Sequence, residues 1–278
     1  MAMRGWGTIL GLAGLLALPL IPAPARAWTL SVCRAPDSAP YTRPDGTGID
    51  DRVATILAEA MGAELKIVPL PDRRTRTLRR FLHGGGCDIA LSVPDKRQGF
   101  QTSQVYYATG FVFMTQDGGA RLPASLDDPA LGSLRIGVAG DPQHPIPPVI
   151  ALAKRGLTDR LRYFPQARLD DAATGRMVQA LADNEIDLAI LWGPTAASVA
   201  AHRPGLRLSL VTPEIDLPVL PMVAMFTIGM RPGDLALRND IDRTLDQRWD
   251  EIQVVLRDAG IPTRPVNRRG GAPREGRE

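Results

Sequence analysis

The chain has 278 residues, 44% of them hydrophobic and 23% charged, with a formal net charge of +3. So small a charge argues against a nucleic-acid partner, because phosphate binding needs a basic surface. Two cysteines cannot supply the four ligands of a structural zinc site, and the three histidines, His83, His144 and His202, are too scattered to help.

Residues 1–27 read as a processing segment. Arg4 gives a positive start, Trp6 to Leu20 is an apolar run, and Ala25-Arg26-Ala27 has the small-x-small form that signal peptidase cuts, before Trp28. The apolar run is shorter than the ~20 residues a bilayer span requires. The mature chain is therefore expected to be exported, with no membrane span, and loss of Arg4 and Arg26 lowers its net charge to +1.

Trp28–Cys33 is expected as a strand, ended by the turn-rich stretch from Pro36 to Pro40. Ile49, Val53, Ile56, Leu57 and Ala60 then recur at helical spacing up to Gly62. Glu64–Leu70 is a second strand, Arg73–His83 a second helix stopped by three glycines, and Cys87–Val93 a third strand. Strand and helix alternating in this way imply a parallel sheet. Cys33 and Cys87 admit two readings, a disulfide between strands of one lobe or two small buried side chains. Cys33 lies late in its strand and Cys87 opens another, an offset that strains the Cα separation a disulfide spans.

The pattern then repeats. Ser133–Ala139 and Ile186–Leu191 read as strands, Pro148–Arg155 and Asp171–Asn184 as helices. Met222–Gly229 is a strand and Leu235–Asp258 one long helix. Gly86-Cys-Asp-Ile-Ala echoes Glu185-Ile-Asp-Leu-Ala, each an Asp opening an apolar strand after a helix. The echo predicts two similar lobes, with chain crossings near Met114–Gln116 and Val211–Pro221 and a ligand cleft between them. The boundaries expected are lobe 1 at 28–116 and 214–262, lobe 2 at 117–213, and a disordered tail at 263–278, where Gly, Pro, Arg and Glu show no apolar period.

This layout resembles the type II periplasmic binding proteins of amino-acid importers over residues 28–262. Leu30–Asp37 with Pro40-Tyr41, Gly86–Pro94 with Tyr106-Tyr107, Gly140-Asp141 with Pro147-Pro148, and Asp187–Pro194 further resemble a narrower group. These are the quinoprotein-dehydrogenase-associated binding proteins of the MxaJ/XoxJ type. The resemblance implies an α/β, two-lobed fold with a central cleft and a periplasmic address. It implies an accessory role, the maturation or activation of a PQQ-dependent methanol or alcohol dehydrogenase by protein binding, with that enzyme and its cytochrome c as partners. The alternative is the receptor of an ABC importer for a small polar solute. Arg73-Arg74-Thr75-Arg76 stands where the group has a Gln-Arg-Arg-Gly-Phe-like run, which leaves the partner open.

An amino-acid receptor needs a cation for the ligand's carboxylate and an acid for its ammonium. The superfamily's arginine position falls on Lys96, with Arg97 beside it. The acid expected after Ile186–Leu191 is absent, and Trp192-Gly193-Pro194 stands there. Tyr41 and Trp192 are candidates for cleft contacts, Trp192 alternatively for packing. Asp37 and Asp141 end corresponding first strands and are either cleft polar groups or turn formers. No nucleophile elbow, phosphate loop or dinucleotide motif occurs in the required context. A monomeric binding protein is expected, without catalytic residues, cofactor or metal.

Overall fold

In this computed structural model residues 28–36, 38–165 and 172–266 are described. The expected leader, Asp37 and the chain beyond 266 lie outside them. The chain forms β1 (Thr29–Arg34), α1 (Ile49–Ala60), β2 (Glu64–Pro69), α2 (Thr75–His83), β3 (Ile89–Pro94), β4 (Gln101–Thr102) and β5 (Tyr107–Gln116). It continues with β6 (Ile136–Ala139), α3 (Pro147–Lys154), β7 (Leu161–Phe164), α4 (Ala172–Ala182), β8 (Leu188–Trp192), α5 (Gly193–Ala200) and β9 (Leu206–Leu210). It ends with β10 (Ile215–Asp216), β11 (Leu220–Pro221), β12 (Val223–Met230), α6 (Leu235–Gln247), α7 (Trp249–Asp258) and β13 (Thr263–Arg264).

In the first lobe β1 lies between β2 and β3 in parallel, with Val32 opposite both Ile67 and Ile89. Helix α1 packs Ile49, Val53, Ile56 and Leu57 into the core, the face its apolar period predicts. Its start is held by the loop before it: a Cβ on Gly48 would fall 2.3 Å from the Tyr41 carbonyl oxygen, so only glycine permits the approach. Helix α2 fully buries Leu82 alone and leaves a polar face outside. In the second lobe β6 lies between β7 and β8, also in parallel, through Ile136 opposite Leu161 and Leu188.

The echo between lobes is a hydrogen-bond motif. Asp88 accepts the N–H of Ser31 at 2.8 Å and donates its own N–H to the Ser31 carbonyl. Asp187 does the same with Arg135, at 2.8 and 2.9 Å. In each lobe the acid before one strand locks the start of its neighbour, which is why Asp recurs there.

Strand β5 joins the lobes. Its first half pairs with β12, Gly110 opposite Val223, and its second half with β8 and β9, Phe111 opposite Trp192. The lobes therefore meet at Gly110–Phe111, a few residues before the crossing expected at Met114–Gln116. Tyr107–Gln116 is one unbroken apolar strand, and only its change of partner marks the crossing. The return passes between Val211 and Met222, whose backbones both bond Phe111, and carries the small β10–β11 hairpin.

Two more expectations change. The long helix from Leu235 to Asp258 is two, divided at Arg248, whose φ of −108° and ψ of 17° are not helical. Ile241, Leu245, Ile252 and Leu256 keep one helical phase across the break, so the pattern hides it. Thr263 and Arg264, the first residues of the expected tail, pair with Thr109 and Ala108 of β5.

Cys33 and Cys87 form a disulfide with a Cα separation of 5.5 Å. The offset that counted against it is absorbed because Cys87 precedes β3: it reaches back toward Cys33, which lies opposite Ala90. Both sulfurs sit in a small core with Leu70, Leu82 and Val93 beneath α2.

Candidate functional site

A cavity of about 500 Å³ opens at the carboxyl ends of β1 and β3, the place where parallel sheets present ligand sites. Its apolar walls include Leu70, Leu78, Leu91, Phe100 and Phe226, and Arg73, Thr75 and Arg97 stand among its polar lining. All the residues lining it come from the first lobe.

Its floor is a buried polar network centred on Ser92. Ser92 is a non-glycine residue at a φ of 51°, in the left-handed region that side chains disfavour. Its hydroxyl donates to Asp50 at 2.6 Å, and with that proton committed the Tyr107 hydroxyl donates to it at 2.9 Å. Its N–H donates to the Tyr106 hydroxyl at 3.2 Å. Burial pushes the Asp50 carboxyl up to about 7, with neighbouring Asp51 adding to the rise and the Ser92 hydrogen bond opposing it. Burial likewise holds the phenols of Tyr41, Tyr106 and Tyr107 above their ordinary range. The Tyr107 ring stacks on Phe226, centroids 4.8 Å apart.

The second lobe reaches this network through Trp192. Its indole N–H donates to the Tyr41 hydroxyl at 2.9 Å, and its ring meets Phe111 and Phe226 edge-on at 5.3 and 6.3 Å. The turn from β8 into α5 fits because the next residue is Gly193, where a Cβ would lie 2.6 Å from the Gly110 carbonyl oxygen.

Among the residues singled out in the sequence, Tyr41 and Arg97 line the cavity, and Arg97 donates to Thr75 at 2.5 Å. Trp192 touches Tyr41 at the junction of the lobes but does not line the cavity. Lys96 is exposed at a φ of 56°, its N–H donated to Asp95, and stands outside the lining. Asp141 is exposed and accepts the N–H groups of Gln143 and His144 at 2.8 and 3.0 Å, which makes it a turn former.

No family model matches the chain. It is 28% identical to the protein MoxJ of Methylorubrum extorquens over 254 residues, 87% of this chain and 83% of that one. Its fold is similar to the crystal structure of MxaJ from Methlophaga aminisulfidivorans MPT, with a TM-score of 0.70 at 24% identity, covering 85% of this chain and all of the other. It is also similar to the periplasmic binding protein XoxJ from Methylobacterium extorquens AM1, with a TM-score of 0.65 at 22% identity over 86% of this chain and all of that one. By sequence and fold alike, the chain is similar to proteins of the MxaJ/XoxJ type.

Sequence reasoning missed the floor of the site. Asp50 and Asp51 are neighbours of like composition, yet Asp51 pairs with Arg34 at 2.8 Å while Asp50 faces the cavity. The one available signal was Ser92, a lone hydroxyl inside the apolar run Ile89–Val93. Among the described residues no group of His, Cys, Asp and Glu is placed to hold a metal ion, and no helix is long and apolar enough to cross a membrane.

Proposed function

We propose that this chain is a periplasmic binding protein of methanol oxidation that assists the maturation or activation of a PQQ-dependent methanol or alcohol dehydrogenase. It acts as a monomer by gripping a segment of that enzyme in its cleft, with the enzyme's cytochrome c as a further partner. The likeness to MoxJ, MxaJ and XoxJ supports this reading. The observation that carries it is Trp192: where an amino-acid receptor needs an acid for the ligand's ammonium, the second lobe offers an indole bound to Tyr41. An uncharged indole there gives a zwitterion's ammonium no partner, which speaks against an amino-acid receptor.

Co-purification of the tagged protein with the dehydrogenase tests the reading, together with dehydrogenase activity in a deletion strain. The expected result is a stable complex and lowered activity with solute uptake intact. Full activity and no complex would overturn it. Calorimetry with common amino acids should show nothing tighter than ~10 µM, about −7 kcal/mol; a sub-micromolar amino acid would favour an importer's receptor instead.

A further inference from the structure

Helix α2, which walls the cavity through Thr75 and Leu78, carries beyond that lining a charged outer rim that the floor does not explain. Residues 73–97 hold seven Arg and Lys against two Asp, a local charge of +5 in a chain whose whole charge is +3. Arg76, Arg79, Arg80 and His83 follow one another at helical spacing along α2, and all four are exposed. The stripe they form is about 10 Å long. Several exposed arginines elsewhere sit on carboxylates, as Arg135 does on Asp187, Arg162 on Glu185 and Arg207 on Asp117. Arg76, Arg79 and Arg80 take part in none of the ion pairs seen among the described residues, and the one carboxylate whose charge Arg80 feels is Asp72, just before α2.

The rim is also fixed in place. His83 bonds the Gly99 carbonyl at 2.8 Å, and Arg97 bonds Thr75, so α2 and the 95–99 loop form one platform. Gly99 has a φ of 85°, and a Cβ there would meet the Arg79 side chain at 2.9 Å. Below α2 the Cys33–Cys87 disulfide anchors the same layer. A preorganised surface loses less freedom on binding.

We infer that the rim and cavity together form the docking site for an acidic polypeptide segment bearing one bulky apolar side chain. The inference rests on the function proposed above and names the chemistry by which the partner is recognised. Acidic side chains lie along Arg76, Arg80 and His83, and the apolar anchor enters the cavity against Leu78, Phe100 and Phe226. A small carboxylate would neutralise one cation and leave the rest of the stripe unused. A membrane would need apolar groups protruding beside the cations, whereas here they recede into a cavity. The most exposed apolar side chains, Leu217 and Val219, are on the β10–β11 hairpin of the return crossing instead. The volume lies within the range of about 300–1,000 Å³ of small-ligand pockets, enough for a single side chain whose backbone stays at the mouth.

Fluorescence anisotropy with a short synthetic peptide, a phenylalanine flanked by Asp and Glu, tests the inference. Binding should weaken about tenfold or more when the acids become Asn and Gln, or in the Arg76→Glu/Arg80→Glu variant, and should fall steeply with salt. Replacing the phenylalanine by serine should also weaken it. The variant's melting temperature should match the wild type, since both side chains are exposed. Equal binding by the variant, or binding to phosphatidylglycerol vesicles without binding to the peptide, would overturn the inference. The purified dehydrogenase separates the two readings. If it binds wild type and variant alike, the rim is not the docking site and the accessory function stands. If it binds neither while the peptide discriminates, the docking chemistry stands and the choice of partner falls.

Discussion

The indole N–H of Trp192, at the end of β8 in the second lobe, donates to the hydroxyl of Tyr41 in the first lobe, 151 residues away in sequence, at 2.9 Å. Both rings are partly buried and pack on the core of the first lobe. The bond bridges the two lobes beside the strand that connects them. Trp192 is thus a packing residue at the junction of the lobes.

Trp192→Phe keeps most of the ring and removes the donor. It should destabilise the protein by about 1 kcal/mol, the worth of one such hydrogen bond. Trp192→Ala should cost about 3 kcal/mol, the low end for losing a buried indole, because the ring is partly exposed. Urea denaturation of both variants measures the difference. An unchanged midpoint in Trp192→Phe would mean that the bond contributes nothing.

Asp50 makes stability depend on pH in an unusual direction. Its carboxyl titrates near 7 when folded, against an ordinary value of 3.8. Below pH ~4 it is protonated in both states and contributes nothing. As the pH rises toward 7 the unfolded chain releases the proton and the folded protein retains it, so stability falls through this window. Asp50→Asn cannot titrate and can still accept from Ser92. Relative to wild type it should gain stability between pH 4 and 7, by up to about 4 kcal/mol. Chemical denaturation at several pH values checks this; a constant difference would show that Asp50 is charged at its site.

The disulfide closes a loop with a sequence separation of 54 residues. On loop-closure entropy its removal by Cys33→Ser/Cys87→Ser should cost about 4 kcal/mol. Thiol titration of the denatured, unreduced protein should find no free sulfhydryl.

Two glycines should respond oppositely to alanine. In Gly110→Ala the new Cβ would lie 2.4 Å from the Met222 carbonyl oxygen, a backbone atom with nowhere to go, at the junction of the lobes. A loss of about 2 kcal/mol or more is expected. Gly175 lies inside α4 with nothing within 4 Å of its Cβ position. Gly175→Ala should stabilise by roughly 0.5–1 kcal/mol, through helix propensity. Melting temperatures of the pair decide both.

The sequence by itself determined the lobes' local architecture, because periodicity is a short-range property. Ile49, Val53, Ile56 and Leu57 fix α1, and the Asp88 and Asp187 echoes mark the same strand start in each lobe. It also singled out Tyr41, which follows a strand and turn, and Arg97, which stands beside the position of the superfamily's arginine, and both line the first-lobe cavity. Only the tertiary structure decided where β5 changes lobes, that Arg248 divides a helix of unbroken phase, and that Cys87 comes back to Cys33. It alone separated Asp50 from Asp51, and tied Trp192 to Tyr41. Apart from the local backbone break at Arg248, each of these depends on which strand or loop lies opposite, a long-range pairing that leaves no periodic trace in the residues themselves.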